Sequence, residues 1–151
     1  MMHDFPRTFT LPKQRAERAV CATAGPLKPA DYLRLRREAA GLSVQMLAGL
    51  LARNADEVAL ALDLVRVMET PGNTLRHPET LERLRYVLAF DPDVYRQLAT
   101  EPVSRHPRVC RGCGCSTWDP CDHTTHGNCS WATPTACTAC LPEIDAEGLL
   151  Q

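Results

Sequence analysis

Residues 110–140 read CRGCGCSTWDPCDHTTHGNCSWATPTACTAC and carry seven of the eight cysteines: Cys110, Cys113, Cys115, Cys121, Cys129, Cys137 and Cys140. The stretch has almost no aliphatic side chains, so burial alone cannot offset the conformational entropy of ordering it. Thiolates gathered on a metal ion can. A Cys-x2-Cys pair grips one ion from a single tight turn, and two such pairs complete a tetrahedral four-cysteine site. Cys110/Cys113 open the stretch and Cys137/Cys140 close it, which pins both ends at one Zn²⁺. Cys115, Cys121 and Cys129 remain for a second site. His123, two residues past Cys121, supplies its fourth ligand, with His126 the competitor for that place. Seven cysteines and one histidine then make eight ligands, enough for two Zn²⁺ per chain. On this count, His123→Ala lowers the metal content to one. Gly112 and Gly114 suit the first turn, where some positive φ is expected.

Other uses of the same thiols are weighed by chemistry. An iron–sulfur cluster draws on identical ligands, and spacing does not separate it from zinc. Ligand type and spacing favour redox-inert Zn²⁺. Disulfides need an oxidising compartment, and the chain opens with no secretory pattern. Seven is also an odd number to pair. The expectation is a cytoplasmic protein with reduced thiols. No apolar run approaches the ~18 residues of a membrane helix, so no membrane partner is expected.

From here the reading moves outward. The 151 residues suffice for one small domain joined to a metal-stapled unit. Net charge is −1 overall, but it is spread unevenly, with a basic first thirty residues and an acidic last fifty. The boundaries read as an irregular basic arm over 1–29, a helical domain over 30–99, a linker over 100–108, the Cys-rich unit over 109–142 and an acidic tail over 143–151. Pro6, Pro12, Pro26 and Pro29 interrupt the arm. Cys21 stands apart from the cluster as a spare thiol.

Residues 31–99 carry helical periodicity throughout. Asp31 is expected to cap a helix in which Tyr32, Leu35 and Ala39 face inward and Arg34, Arg37 and Glu38 face water, ended by Gly41. Ser43 caps a second helix with Val44, Met46, Leu47, Leu50 and Leu51 as its apolar set. Asn54 or Asp56 starts a third, DEVALALDLVRVME, closed by Pro71-Gly72-Asn73. HPETLERLRYVLAF makes a fourth, burying Leu81, Leu84, Val87 and Leu88, and DVYRQLA a short fifth after Pro92. The predicted fold class is an all-α helix-turn-helix domain of about five short helices, followed by a small metal-stapled Cys-rich module.

LRLRREAAGLSVQMLAGLL, then VRVME, then PETLERLRYVLAF, resembles the Cro/lambda-repressor type of helix-turn-helix regulator over about residues 31–98. The whole layout also resembles a group of short phage-like and bacterial regulators with a C-R-x-C-G-C…C-D-H…G-x-C-x-W…C-x-x-C tail. Its positions here are Cys110, Arg111, Cys113, Gly114, Cys115, Cys121, Asp122, His123, Gly127, Cys129, Trp131, Cys137 and Cys140. The resemblance implies that the helix after L-A-x-L-L enters the major groove of duplex DNA. Arg53 and Asn54 then read bases, and Arg34 or Arg37 lies near a phosphate. Two departures stand out. Asp56, Glu57, Asp63 and Glu69 crowd the reading helix with acid, and Val44 stands where the family commonly has glutamine.

Two functions from different classes follow. One is a DNA-binding transcriptional regulator, dimeric, with a structural zinc module. The other is a protein-interaction module that uses the same helical fold and an acidic, zinc-bound docking surface for a protein partner or a second copy, without DNA. Trp118 and Trp131 each suit packing over a metal turn, and an exposed one would anchor an interface. No enzyme is expected. The chain lacks a Gly-rich phosphate loop, H-E-x-x-H and any Ser/His/Asp pattern, and a four-ligand zinc leaves no open position for a small-molecule substrate.

Overall fold

The computed structural model describes residues 25–123 and 127–141, with Asp122 and His123 described by their backbone alone. The arm before Gly25, including Cys21, and the tail after Leu141 lie outside the described residues.

Five helices follow in order: α1 (Pro29–Ala39), α2 (Val44–Leu51), α3 (Val58–Met68), α4 (Pro78–Val87) and α5 (Pro92–Thr100). The caps explain most of the boundaries. The Ser43 hydroxyl accepts from the Met46 amide and starts α2. Asn54 accepts from the Glu57 amide, while the Glu57 carboxylate accepts from the Arg53 amide. These two bonds begin a 3-10 turn over Ala55–Glu57 that runs into α3. Asp91 accepts from the Asp93 amide and starts α5. α1 closes at Gly41 with paired bonds from the Gly41 amide to Glu38 and from the Leu42 amide to Arg37. Asp31 departs from expectation. Pro29 already occupies the first helical position, so Asp31 falls inside the first turn and pairs with Arg34 at 2.8 Å.

The core joins Leu27, Tyr32, Leu33, Leu47, Leu51, Val65, Met68, Leu81, Leu84, Phe90, Val94, Tyr95 and Leu98. The inner face of α1 is only in part the one that apolar spacing selects: Tyr32 is fully buried as expected. Arg36 and Arg37 are buried on it, Leu35 is half-buried, and Ala39 is exposed. Arg37 lies between helix ends, donating to both Glu69 carboxylate oxygens at 2.6 and 2.8 Å and to the Leu42 carbonyl at 2.8 Å. It is thus a structural clasp between the ends of α1 and α3, not the outward phosphate contact expected.

The all-α label is also too narrow. After a 3-10 turn at Val103–Arg105, the Cys-rich unit contains two short antiparallel pairs. β1 (Asp122–His123) pairs with β2 (Gly127–Asn128), and β3 (Trp131–Thr133) with β4 (Ala136–Cys137). The unit packs on the helices. Val109 enters the helical core, and Arg36 donates to the Ala89 carbonyl on one side and to the Asp119 carboxylate on the other.

Two buried tyrosines bear on alkaline stability. The Tyr32 hydroxyl accepts from the Asp91 amide and that of Tyr95 from the Leu75 amide. Burial pushes both phenols above their ordinary 10.0, only partly offset by those amides. The native state therefore keeps protons that the unfolded chain releases, so stability should fall progressively above about pH 10. Thermal unfolding followed across alkaline pH, beside phenolate absorbance, tests this. A flat midpoint through that range would refute it.

Candidate metal centre

Backbone geometry, more than side-chain bulk, builds the thiol cluster. Val109 and Ser116 bridge as antiparallel partners and close the loop that holds Cys110, Cys113 and Cys115. Within it, the Gly114 amide reaches the Cys110 carbonyl at 2.9 Å and the Cys110 amide the Cys115 carbonyl at 2.8 Å. Gly114 takes φ +77 with its α-carbon against α1, where an added Cβ would lie 2.7 Å from the Arg36 Cδ. Gly112 is needed for a different reason. A Cβ there would meet the Cys140 Sγ at 2.7 Å, so the two turns could not close on each other.

The β3–β4 hairpin delivers the second turn. Its register sets Trp131 opposite Cys137, and the Arg111 amide holds the hairpin end through the Thr135 carbonyl at 2.8 Å. Arg108 donates to the Thr133 and Pro134 carbonyls and lays its guanidinium 4.1 Å from the Trp131 ring centroid. Trp131 packs on the cysteines as expected. Trp118 does not, being 75% exposed.

Two quartets of thiols result that can hold a metal ion. Cys110, Cys113, Cys137 and Cys140 lie with their sulfurs within 4.8 Å of one another, which is the first expected set. The second quartet is Cys113, Cys115, Cys121 and Cys137. Of the second expected set, Cys115 and Cys121 thus stand together. Their partners are two cysteines already used by the first. Cys129 is in neither quartet, although its sulfur lies 3.7 Å from that of Cys115 and accepts from the Cys121 amide. The backbone of His123 pairs with Gly127, and its side chain, like His126, lies outside the described residues.

The cluster's electrostatics are uneven, and burial pushes the Cys115 and Cys121 thiols up. Hydrogen bonds from Cys113 and Cys140 push the Cys110 thiol far below its ordinary range, and the amides of Gly112 and Cys137 also point at its sulfur. The Cys113 thiol is pushed up by its contacts with Cys110 and Cys140 and by burial. Such a set gives up protons when a soft-accepting cation arrives. Among the described residues the seven cysteines are all free thiols, not disulfides.

The expected DNA-reading residues have separate fates. Arg53 and Asn54 are exposed ahead of α3. Arg34 is half-exposed and paired with Asp31, while Arg37 is buried on Glu69. α3 itself turns Val58, Leu60 and Val67 outward, and α2 does the same with Met46 and Leu50. Met46 and Leu50 stand in the apolar set of α2 with no face assigned to them by the sequence, so that exposure was not anticipated. Among the described residues no helix is long and apolar enough to cross a membrane. No protein-family profile, curated protein or solved structure matches the chain.

Proposed function

We propose that the chain is a helix-turn-helix-type regulator without catalytic activity, that its Cys-rich unit is stapled by zinc, and that its principal contact is with protein. The partner proposed is a second copy of the chain, seated on the outer faces of α2 and α3. The carrying observation is the 72% exposure of Leu60, with Met46, Leu50, Val58 and Val67 also outside. Exposed apolar faces of this kind mark interaction sites, whereas a DNA-reading helix presents polar and basic groups. The only charges on the outer face of α3 are Asp63 and Arg66, which pair with each other at 3.4 Å. A face both apolar and self-neutralised complements its own copy. Zinc is supported by the gathering of thiols in sets of four. Elsewhere, a cleft of about 470 Å³ between α4, α5 and Trp118 has its charges tied together, with Arg96 on both Glu82 and Asp93.

Direct DNA binding is the second reading, favoured by the exposure of Arg53 and Asn54 just ahead of α3. Sedimentation and gel-shift experiments on the full chain separate the two. On the first reading the protein is a concentration-dependent dimer, Leu60→Glu makes it monomeric with helicity unchanged, and DNA flanking its own gene gives no shift even at low salt. A salt-dependent shift abolished by Arg53→Ala/Asn54→Ala would instead establish DNA contact, with a loss of about 1–3 kcal/mol per base-reading arginine.

A further inference from the structure

The two thiol quartets share an edge. Cys113 and Cys137 belong to both, and their sulfurs lie 3.7 Å apart. A tetrahedral ion with bonds of ~2.3 Å to sulfur has its ligand sulfurs about 3.8 Å from one another. The shared pair therefore has the spacing of one tetrahedral edge. Cys110 and Cys140 complete one quartet on that edge, and Cys115 and Cys121 complete the other, with the sulfurs of each quartet within 4.8 Å of one another. Two separate four-ligand sites need eight donors. Two edge-sharing sites need six, and these six are the cysteines gathered here.

We infer that the Cys-rich unit binds one dinuclear zinc cluster, in which the Cys113 and Cys137 thiolates each bridge both ions. Cys110 and Cys140 are terminal ligands of one ion, and Cys115 and Cys121 of the other. Six thiols release six protons as two Zn²⁺ bind, which leaves the cluster with two net negative charges and changes no oxidation state. On this count the six cysteines fill both coordination spheres and call on neither Cys129 nor His123. Cys129 acts instead through the Cys121 amide that its sulfur accepts, orienting a terminal ligand from outside the coordination shell. The four buried thiols, Cys110, Cys113, Cys115 and Cys137, comprise the bridging pair and one terminal ligand of each ion, and the remaining terminal ligands, Cys121 and Cys140, lie nearer the surface.

This inference rests on the zinc reading above, and the experiment separates the two. The full chain, purified with its native metal, is taken through elemental analysis, native mass spectrometry and zinc X-ray absorption. Two zinc ions per chain are expected, with sulfur as the only atom bonded to zinc and a zinc neighbour at no more than ~4 Å. Cys129→Ser and His123→Ala should each retain two zinc ions. Two zinc ions without a close metal neighbour, a nitrogen atom bonded to zinc, or a fall to one zinc in either variant would overturn the bridged cluster while leaving zinc in place. Iron on elemental analysis would overturn the zinc reading and the cluster with it.

Discussion

A Cys113→Ser chain is expected to lose both metal ions and with them the fold of residues 109–141. Cys113 sits in both quartets, so no four-thiolate set survives its removal. Structural zinc contributes on the order of 10 kcal/mol of apparent free energy at neutral pH. Little apolar burial stands behind it here, since the unit's own buried cluster consists of cysteines with Trp131 against them. Cys140→Ser should behave differently. It leaves Cys113, Cys115, Cys121 and Cys137 intact, and one ion should remain with part of the fold. Native mass spectrometry paired with hydrogen exchange over the unit distinguishes the two variants. Two ions retained in Cys113→Ser would contradict its shared position.

The second large effect is expected at Arg37. Its guanidinium makes two bonds to Glu69 and one to the Leu42 carbonyl, with both side chains only 10% exposed. Removing one member of such a buried pair leaves the other desolvated and unpaired, which costs about 3–5 kcal/mol. Arg37→Ala should lower stability by that amount, a large share of what a small domain has. Arg37→Lys should recover only part of it, because an ammonium cannot make the two-pronged contact. Replacing the pair together, by Arg37→Met/Glu69→Leu, should be far milder than either single change. Denaturant unfolding of all three variants provides the test. A loss below about 1 kcal/mol in Arg37→Ala would place the pair with ordinary surface ion pairs.

How far these features were legible in the sequence depends on the range over which the cause acts. The five helices were readable because their causes are local: Ser43, Asn54 and Asp91 cap within three residues, and the apolar spacing of α4 buries Leu81 and Leu84 as expected. The inward turn of Arg36 and Arg37 was not. Periodicity assigns arginine to water, and the groups that hold these two inside lie up to 83 positions away. The first thiol quartet was readable from its two Cys-x2-Cys pairs. The second was not, because ligand arithmetic spends each cysteine once, while edge sharing exists only when two turns meet in space. Exposure of α2 and α3 was hidden for a related reason. An apolar residue looks the same in a sequence whether it faces the core or another molecule.

The contact of Gly114 with Arg36 bears on how such a chain can be taken apart and recombined. Gly114 lies between Cys113 and Cys115 of the thiol quartets, and its missing side chain is the space that the Arg36 stem fills. The same arginine then reaches Asp119 in the loop beyond. The two halves are therefore not interchangeable cassettes. A Cys-rich unit of this kind grafted behind a different helical domain would arrive with a bare groove at Gly114 and an acid without its cation. Conversely, a foreign tail carrying any side chain at that position would collide with α1. Substitutions at Arg36, Gly114 and Asp119 should be strongly non-additive, and exchange of the halves should succeed only when these three positions travel together.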